Sequence, residues 1–134
     1  MRAVFFIAQK TADGGRVGIK EIALNIDSPE HFLAKILQDL SKRGIIQSVK
    51  GPNGGFYLDQ KSLERPLVDV VEAVDGPSIF IGCGLGLAEC SELNPCPVHE
   101  EFKMVRNQLH RMLRTTVIGQ FNEDLNLGIT RLKG

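Results

Sequence analysis

From Ser28 to Leu58 the chain runs through an order of signals that few small folds accommodate. Ser28-Pro29-Glu30 reads as a helix start: a hydroxyl to cap, proline at the first helical position, and an acid near the positive helix end. Phe32, Leu33, Ile36, Leu37 and Leu40 then recur on one face, and Lys42-Arg43-Gly44 supplies cations and a stopping glycine. Two short alternating segments follow, Ile45 to Val49 and Gly55 to Leu58. Between them lies Lys50-Gly51-Pro52-Asn53-Gly54, where proline presets a turn and Asn53-Gly54 is expected to take positive φ. An amphipathic helix followed by a β-hairpin with a cation at its tip is the order of a winged helix.

The upstream residues agree. Met1 to Gln9 is apolar nearly all round and begins without a capping residue, so it is expected to be the buried part of a first helix. Asp13-Gly14-Gly15 is a turn, and Ile19, Ile22, Ala23 and Ile26 space a short second helix. On the helices alone, another kind of helical hairpin stays open; the hairpin behind them favours helix-turn-helix. In such a fold the helix from Ser28 enters the major groove of DNA and the wing reaches a minor groove. The formal net charge is +0, yet residues 1–61 carry nine Lys/Arg against six Asp/Glu, and residues 62–134 seven against ten. The basic half is the one that resembles a DNA-binding unit, a mild asymmetry that permits one face to approach phosphates.

Downstream, Leu67, Val70, Val71 and Val74 make another short helix, stopped by Asp75-Gly76-Pro77. Gly76 to Pro97 reads as loop, with four glycines, three prolines and all three cysteines. A helix then runs to Arg114, and its Val98, Phe102, Val105, Leu109 and Met112 advance by 4, 3, 4 and 3, the spacing of a coiled-coil seam. That helix packs on its own domain or pairs with a copy. Thr115-Thr116 is placed to cap a last short helix through Phe121.

The chemistry lies in the loop, whose pattern is C-x6-C-x5-C-x2-H over Cys83, Cys90, Cys96 and His99. Thiolate sulfur favours iron–sulfur centres, zinc or copper(I). Structural zinc sites pair their ligands more tightly than these gaps, and a larger cluster suits wider ones. Three unligated thiols are the alternative. Ile79, Phe80, Ile81, Leu85 and Leu87 are expected to cover such a centre from water. If Pro97 opens the helix, Cys96 and His99 share a side of its first turn. His31 and His110 fall on polar helix faces, His31 within reach of DNA. No Gly-x-Ser-x-Gly, Walker loop or CxxC occurs, so no enzyme is expected. Neither a secretory leader nor a membrane span is read, and the expected compartment is the cytoplasm, where an odd number of cysteines points to metal or thiol chemistry.

Leu40-Ser-Lys-Arg-Gly-Ile-Ile-Gln-Ser-Val-Lys-Gly-Pro-Asn-Gly-Gly-Phe-Tyr-Leu58 resembles the signature of the bacterial regulators that include the iron–sulfur regulator IscR and the nitric-oxide-sensitive repressor NsrR. Val70-Val71-Glu72-Ala73-Val74-Asp75, the three-cysteine loop and Cys96-Pro-Val-His99 resemble the same family in the same order, roughly over residues 2–121. The resemblance implies a homodimer on a partly palindromic operator, with Cys83, Cys90 and Cys96 as cluster ligands. His99 matches the residue that completes a [2Fe–2S] centre in one branch. The other branch holds a [4Fe–4S] centre with an N-terminal carboxylate of the partner subunit, so [2Fe–2S] is the expectation here. The family has further residues ahead of Arg2-Ala3, so the first helix is expected to lack its opening turns. Lys50 stands where the family has a wing arginine, and Ala34 near an acidic residue used to discriminate bases, so operator sequence does not transfer.

The expected architecture is therefore mainly α with a small β-hairpin wing: a winged helix-turn-helix plus a long C-terminal dimerisation helix. Residues 1–61 form the DNA-binding unit, 62–76 a connecting helix, 77–97 the cluster loop, and 98–134 the dimerisation helix and tail. Arg2, Ser28, His31, Lys35, Lys50 and Asn53 are the expected DNA contacts, and Val98, Phe102, Val105, Leu109 and Met112 the dimer seam. The expected function is a transcription regulator, acting as a repressor, whose operator affinity follows cluster state. The alternative is a zinc-stabilised or cluster-free winged-helix interaction module.

Overall fold

The computed structural model describes residues 1–134. In chain order its elements are α1 (Arg2–Lys10), α2 (Ile19–Ile26), α3 (Glu30–Lys42), β1 (Gln47–Val49), β2 (Gly55–Tyr57), α4 (Gln60–Leu63) and α5 (Leu67–Asp75). Then come α6 (Ser78–Ile81), α7 (His99–Thr115), a 3-10 turn at Ile118–Phe121 and α8 (Asn122–Asn126).

Helix α1 buries Ala3, Val4, Phe6, Ile7 and Ala8, so its apolar surface needs cover from two directions. One cover is α2, which turns Ile22, Ala23 and Ile26 inward. The other comes from the far end of the chain. Ile118 is fully buried, Phe121 meets Phe5 edge-on with ring centroids 6.3 Å apart, and Asn122 Nδ2 donates to the Ala8 carbonyl at 3.3 Å. Helix α3 closes the core with Leu33, Leu37 and Leu40. Ser28, expected to cap α3, does not. Pro29 occupies the cap position and no side chain bonds there, while the Ser28 N–H donates to the Ala23 carbonyl at 3.0 Å. Asp27, at φ 54°, makes the left-handed bend, so Ser28 helps to close α2 rather than open α3.

Strands β1 and β2 pair antiparallel with Ser48 opposite Phe56. They are shorter than the alternation suggested, because Ile45 and Ile46 both turn into the core. Positive φ falls at Gly51 (106°) and Gly55 (149°), not at Asn53-Gly54. At Gly55 the reason is close approach: Val17 exchanges backbone bonds of 3.0 and 2.8 Å with Phe56, and a Cβ on Gly55 would lie 2.8 Å from the Val17 carbonyl oxygen. Gly54 is needed for space alone, since a Cβ there would lie 2.1 Å from the Val49 carbonyl oxygen. Three helices followed by this hairpin make a winged helix-turn-helix.

A turn of helix, α4, straddles residue 61, where the sequence suggested only a boundary. Asp59 caps it by accepting from the Ser62 N–H at 2.8 Å. Gln47 on β1 donates to Ser62 Oγ at 2.9 Å and accepts from the Asp59 N–H at 2.8 Å, which pins the wing to this linker. Helix α5 ends at Gly76, φ 73°, as its sequence suggested. The cysteine loop is not wholly irregular, since α6 lies within it. Thr115 caps no following helix; its hydroxyl donates back to the Arg111 carbonyl at 2.8 Å, and the last turns start from Val117. No helix is long and apolar enough to cross a membrane.

Gly54→Ala forces its Cβ into the Val49 carbonyl. It should lower unfolding free energy by about 2 kcal/mol, read as a shift of the urea midpoint. An unchanged midpoint would mean that the wing rearranges freely.

Candidate nucleic-acid interface and metal-binding loop

Helix α3 presents His31, Lys35, Gln38 and Lys42 to solvent at steps of 4, 3 and 4, one stripe opposite the buried leucines. The wing stands beside it. Ser41 Oγ and Ser48 Oγ lie 2.9 Å apart and join the helix to β1. A groove of about 470 Å³ runs between the two, lined by Gln38, Ser41, Lys42, Ser48, Lys50 and Phe56 among others. Lys50 and Asn53 are exposed on the wing, as expected. The Asn53 carbonyl accepts from Arg16 Nη1 at 3.3 Å, so a second cation reaches the wing tip from the segment before α2. Ser28 is half-buried in the α2–α3 turn, and Arg2, exposed at the start of α1, does not line this groove.

Sequence reasoning passed over Arg16, Gln38 and Lys42. Gln38 and Lys42 were legible as the continuation of the His31–Lys35 stripe. Arg16 was not, because only tertiary packing brings it to the wing.

The cysteine loop runs antiparallel along one face of α7. Phe80 stacks on His110 with ring centroids 4.4 Å apart, which corrects the expectation that this histidine lies on a polar face. Two residues on, the Gly82 carbonyl accepts from Arg106 Nη1 at 2.7 Å. Another two residues on, Gly84 lies against the Phe102 ring, where an added Cβ would be 2.6 Å from ring carbon. Cys90 Sγ then sits 3.4 Å from His99 Nδ1, and Lys103 Nζ donates to Glu92.

His99 is buried, 4% exposed. Its Nε2 has no hydrogen-bond partner, and the Glu100 carboxylate at 3.8 Å is too far to accept one. The expected pairing of His99 with Cys96 on one helical side is not what forms. Val98 occupies the N-cap position and the His99 N–H closes a turn onto the Cys96 carbonyl at 3.0 Å, so the imidazole faces Cys90. The Leu85 N–H donates to Cys83 Sγ at 3.4 Å. That bond, then one from Leu87, with lesser help from the Cys96 thiol and the Gly86 N–H, holds the Cys83 thiol below the ordinary cysteine range. Among the four candidate donors, Cys90 and His99 are thus the pair within hydrogen-bond reach. No three His, Cys, Asp or Glu side chains form a group able to hold a single metal ion. The apolar cover expected over the loop is open: Ile79, Ile81, Leu85 and Leu87 are all exposed, and only Phe80 packs inward.

The 98–112 stripe also divides. Phe102 is half-buried beneath the loop and Leu109 packs on the core, whereas Val98, Val105 and Met112, seven residues apart, are 41%, 61% and 51% exposed. One edge of the α7 stripe serves its own chain and the adjoining edge is exposed.

The profile of the Rrf2 family, described as iron-dependent transcriptional regulators, matches residues 1–124. A protein of Aquifex aeolicus named as an HTH-type transcriptional regulator is 36% identical over 104 residues, 76% of this chain and 72% of that relative. The HTH-type transcriptional regulator IscR of Escherichia coli O1:K1 is 24% identical over 109 residues, 81% of this chain and 67% of its own. In fold, the chain is similar to the solved structure of CymR, the global cysteine regulator of B. subtilis. That likeness has a TM-score of 0.72 at 21% identity and covers 91% of this chain and 88% of that one.

The split stripe carries its own test. Leu109→Ala should cost about 2 kcal/mol, while Val105→Ala stays within about 0.5 kcal/mol, both by urea unfolding at a concentration where the chain is monomeric. The reverse ranking would mean that α7 is rotated by a fraction of a turn, with Val105 rather than Leu109 against the core.

Proposed function

The chain belongs to the Rrf2 family of transcriptional regulators, and from that premise we propose that it is a homodimeric DNA-binding repressor whose operator affinity is set by an iron–sulfur cluster. The observation that carries this reading is the double duty of α7. One side holds the loop with Cys83, Cys90, Cys96 and His99, and the adjoining flank offers Val98, Val105 and Met112 to a partner.

The residues fit such a centre. Three soft thiols and one imidazole are the donor set, and the unpartnered, buried Nε2 of His99 shows a ring whose hydrogen-bonding the chain leaves unfinished. Wide cysteine spacing suits a cluster better than one zinc ion, and His99, held against Cys90, gives the chain a fourth donor of its own, which favours [2Fe–2S] over [4Fe–4S]. Bound there, the cluster would supply a centre sensitive to iron supply, redox state and nitric oxide. The chain's own residues carry the rest. The loop contacts fix α7 along three turns, and α7 sets how two winged helices face two half-sites. On the operator, His31, Lys35, Gln38 and Lys42 are assigned to the major groove, Lys50 and Asn53 to the minor groove, with Arg2 and Arg16 toward phosphates. Losing order in the loop would shift the dimer between arrangements that match and mismatch the DNA.

A cluster-free thiol regulator is the second reading. It draws on the Cys83 thiol, held below the ordinary cysteine range first by the Leu85 N–H, and on the lack of three converging donors.

Anaerobically purified protein should carry iron and sulfide with visible absorption, and Cys90→Ser should remove most of that absorption while leaving the winged-helix fold intact by circular dichroism. Stoichiometric zinc without iron or sulfide would contradict the cluster, and folded, DNA-competent protein free of metal would favour the second reading. Separately, Val105→Lys alters only an exposed position. It should give a folded chain that sediments as a monomer and binds a selected operator at least about tenfold more weakly. A Val105→Lys dimer with wild-type affinity would contradict the seam.

A further inference from the structure

Between α6 and Cys90 the loop has a register on α7. Each advance of two loop residues, from Phe80 to Gly82 to Gly84, is matched by four residues back along the helix, from His110 to Arg106 to Phe102. Four residues is about one helical turn, so the partners stack on one face. The outer two contacts are packing against rings. The middle one is a charge-assisted hydrogen bond of 2.7 Å from Arg106 Nη1 to the Gly82 carbonyl, half-buried beneath the loop. The guanidinium carbon also lies 5.9 Å from the centre of the Phe102 ring that supports Gly84. Cys83 stands between the two glycines so held.

We propose that Arg106 is the positioning residue that keeps the cysteine loop in register on α7 and thereby places Cys83. Packing alone does not set that register. Phe80 with His110 and Gly84 with Phe102 are ring contacts that tolerate sliding, whereas a directed bond to one carbonyl does not. The loop backbone has little else to lock it. Apart from its internal turns, its large apolar residues Ile79, Ile81, Leu85 and Leu87 are exposed and anchor it little. Arg106 Nε is itself buried and without a partner, so the chain keeps a polar group at this point at some cost. That cost suits a group retained for placement. The consequence for a cluster rests on the reading given under Proposed function; the placement of the loop does not.

The test is hydrogen–deuterium exchange on the full metal-free chain. In Arg106→Met, the amides of residues 82–86 should exchange about tenfold faster than in wild type, while those of α1 and α3 keep their rates. Arg106→Lys, with the charge but without the fork, should recover part of the protection. If Arg106→Met also loses protection in α1 and α3, Arg106→Gln takes its place, with the same acceleration expected. Gly84→Ala drives a Cβ into the Phe102 ring and should loosen the same stretch with Arg106 intact. Exchange across residues 82–86 within about twofold of wild type in the folded Met or Gln variant would overturn the assignment. If wild-type protein takes up no iron and sulfide, the cluster reading fails, and the exchange comparison still decides the role of Arg106.

Discussion

Helix α1 is apolar around most of its circumference, and burying it from two directions shapes the rest of the chain. Cover from α2 alone would leave Phe5 and the other side of the helix in water. The chain therefore returns after α7 and lays Ile118, Phe121 and α8 against α1. Each fully buried aliphatic of this kind contributes about 1.5–3 kcal/mol, so the return is held by the same core as the winged helix. Two backbone bonds, Leu67 N–H to the Thr116 carbonyl at 2.9 Å and Ile118 N–H to the Arg65 carbonyl at 3.0 Å, lock it to the linker. The C-terminal half is thus built into the DNA-binding unit rather than tethered to it.

That integration gives α7 its leverage. The helix is anchored at its C-terminal end by Leu113 in the core and at its N-terminal end by His99 beneath the loop. Between them, one face carries the loop contacts and the other Val98, Val105 and Met112. On the proposed function, any change in the loop acts on a helix whose adjoining flank meets the partner, and no longer path is required. The cost of exposing three large apolar groups on that face is consistent with their being covered in the dimer.

Local signals were legible and long-range ones were not. Alternation, apolar stripes and stopping glycines placed α1, α2, α3, the wing and α5 to within a few residues, because each depends on neighbours in sequence. Ser28 misled because a serine before proline has the composition of a cap, while the bend at Asp27 had already committed its N–H to α2. The 4-3-4-3 stripe was real, but spacing alone does not say which members meet the chain's own core. Phe102 and Leu109 went inward and the heptad-spaced trio stayed out. Of the candidate site, the donor residues were visible in the cysteine spacing. Their pairing was not, since Cys90 meets His99 only after the loop has doubled back along α7.

The central claim joins the loop to the operator, and binding of one selected operator duplex by the same preparation, before and after anaerobic removal of its cluster, tests it directly. A change in affinity of at least about tenfold, reversed on reconstitution and absent in Cys90→Ser protein, is the predicted result. Equal affinity in the loaded and stripped states, with iron and sulfide shown to have been present, would contradict it.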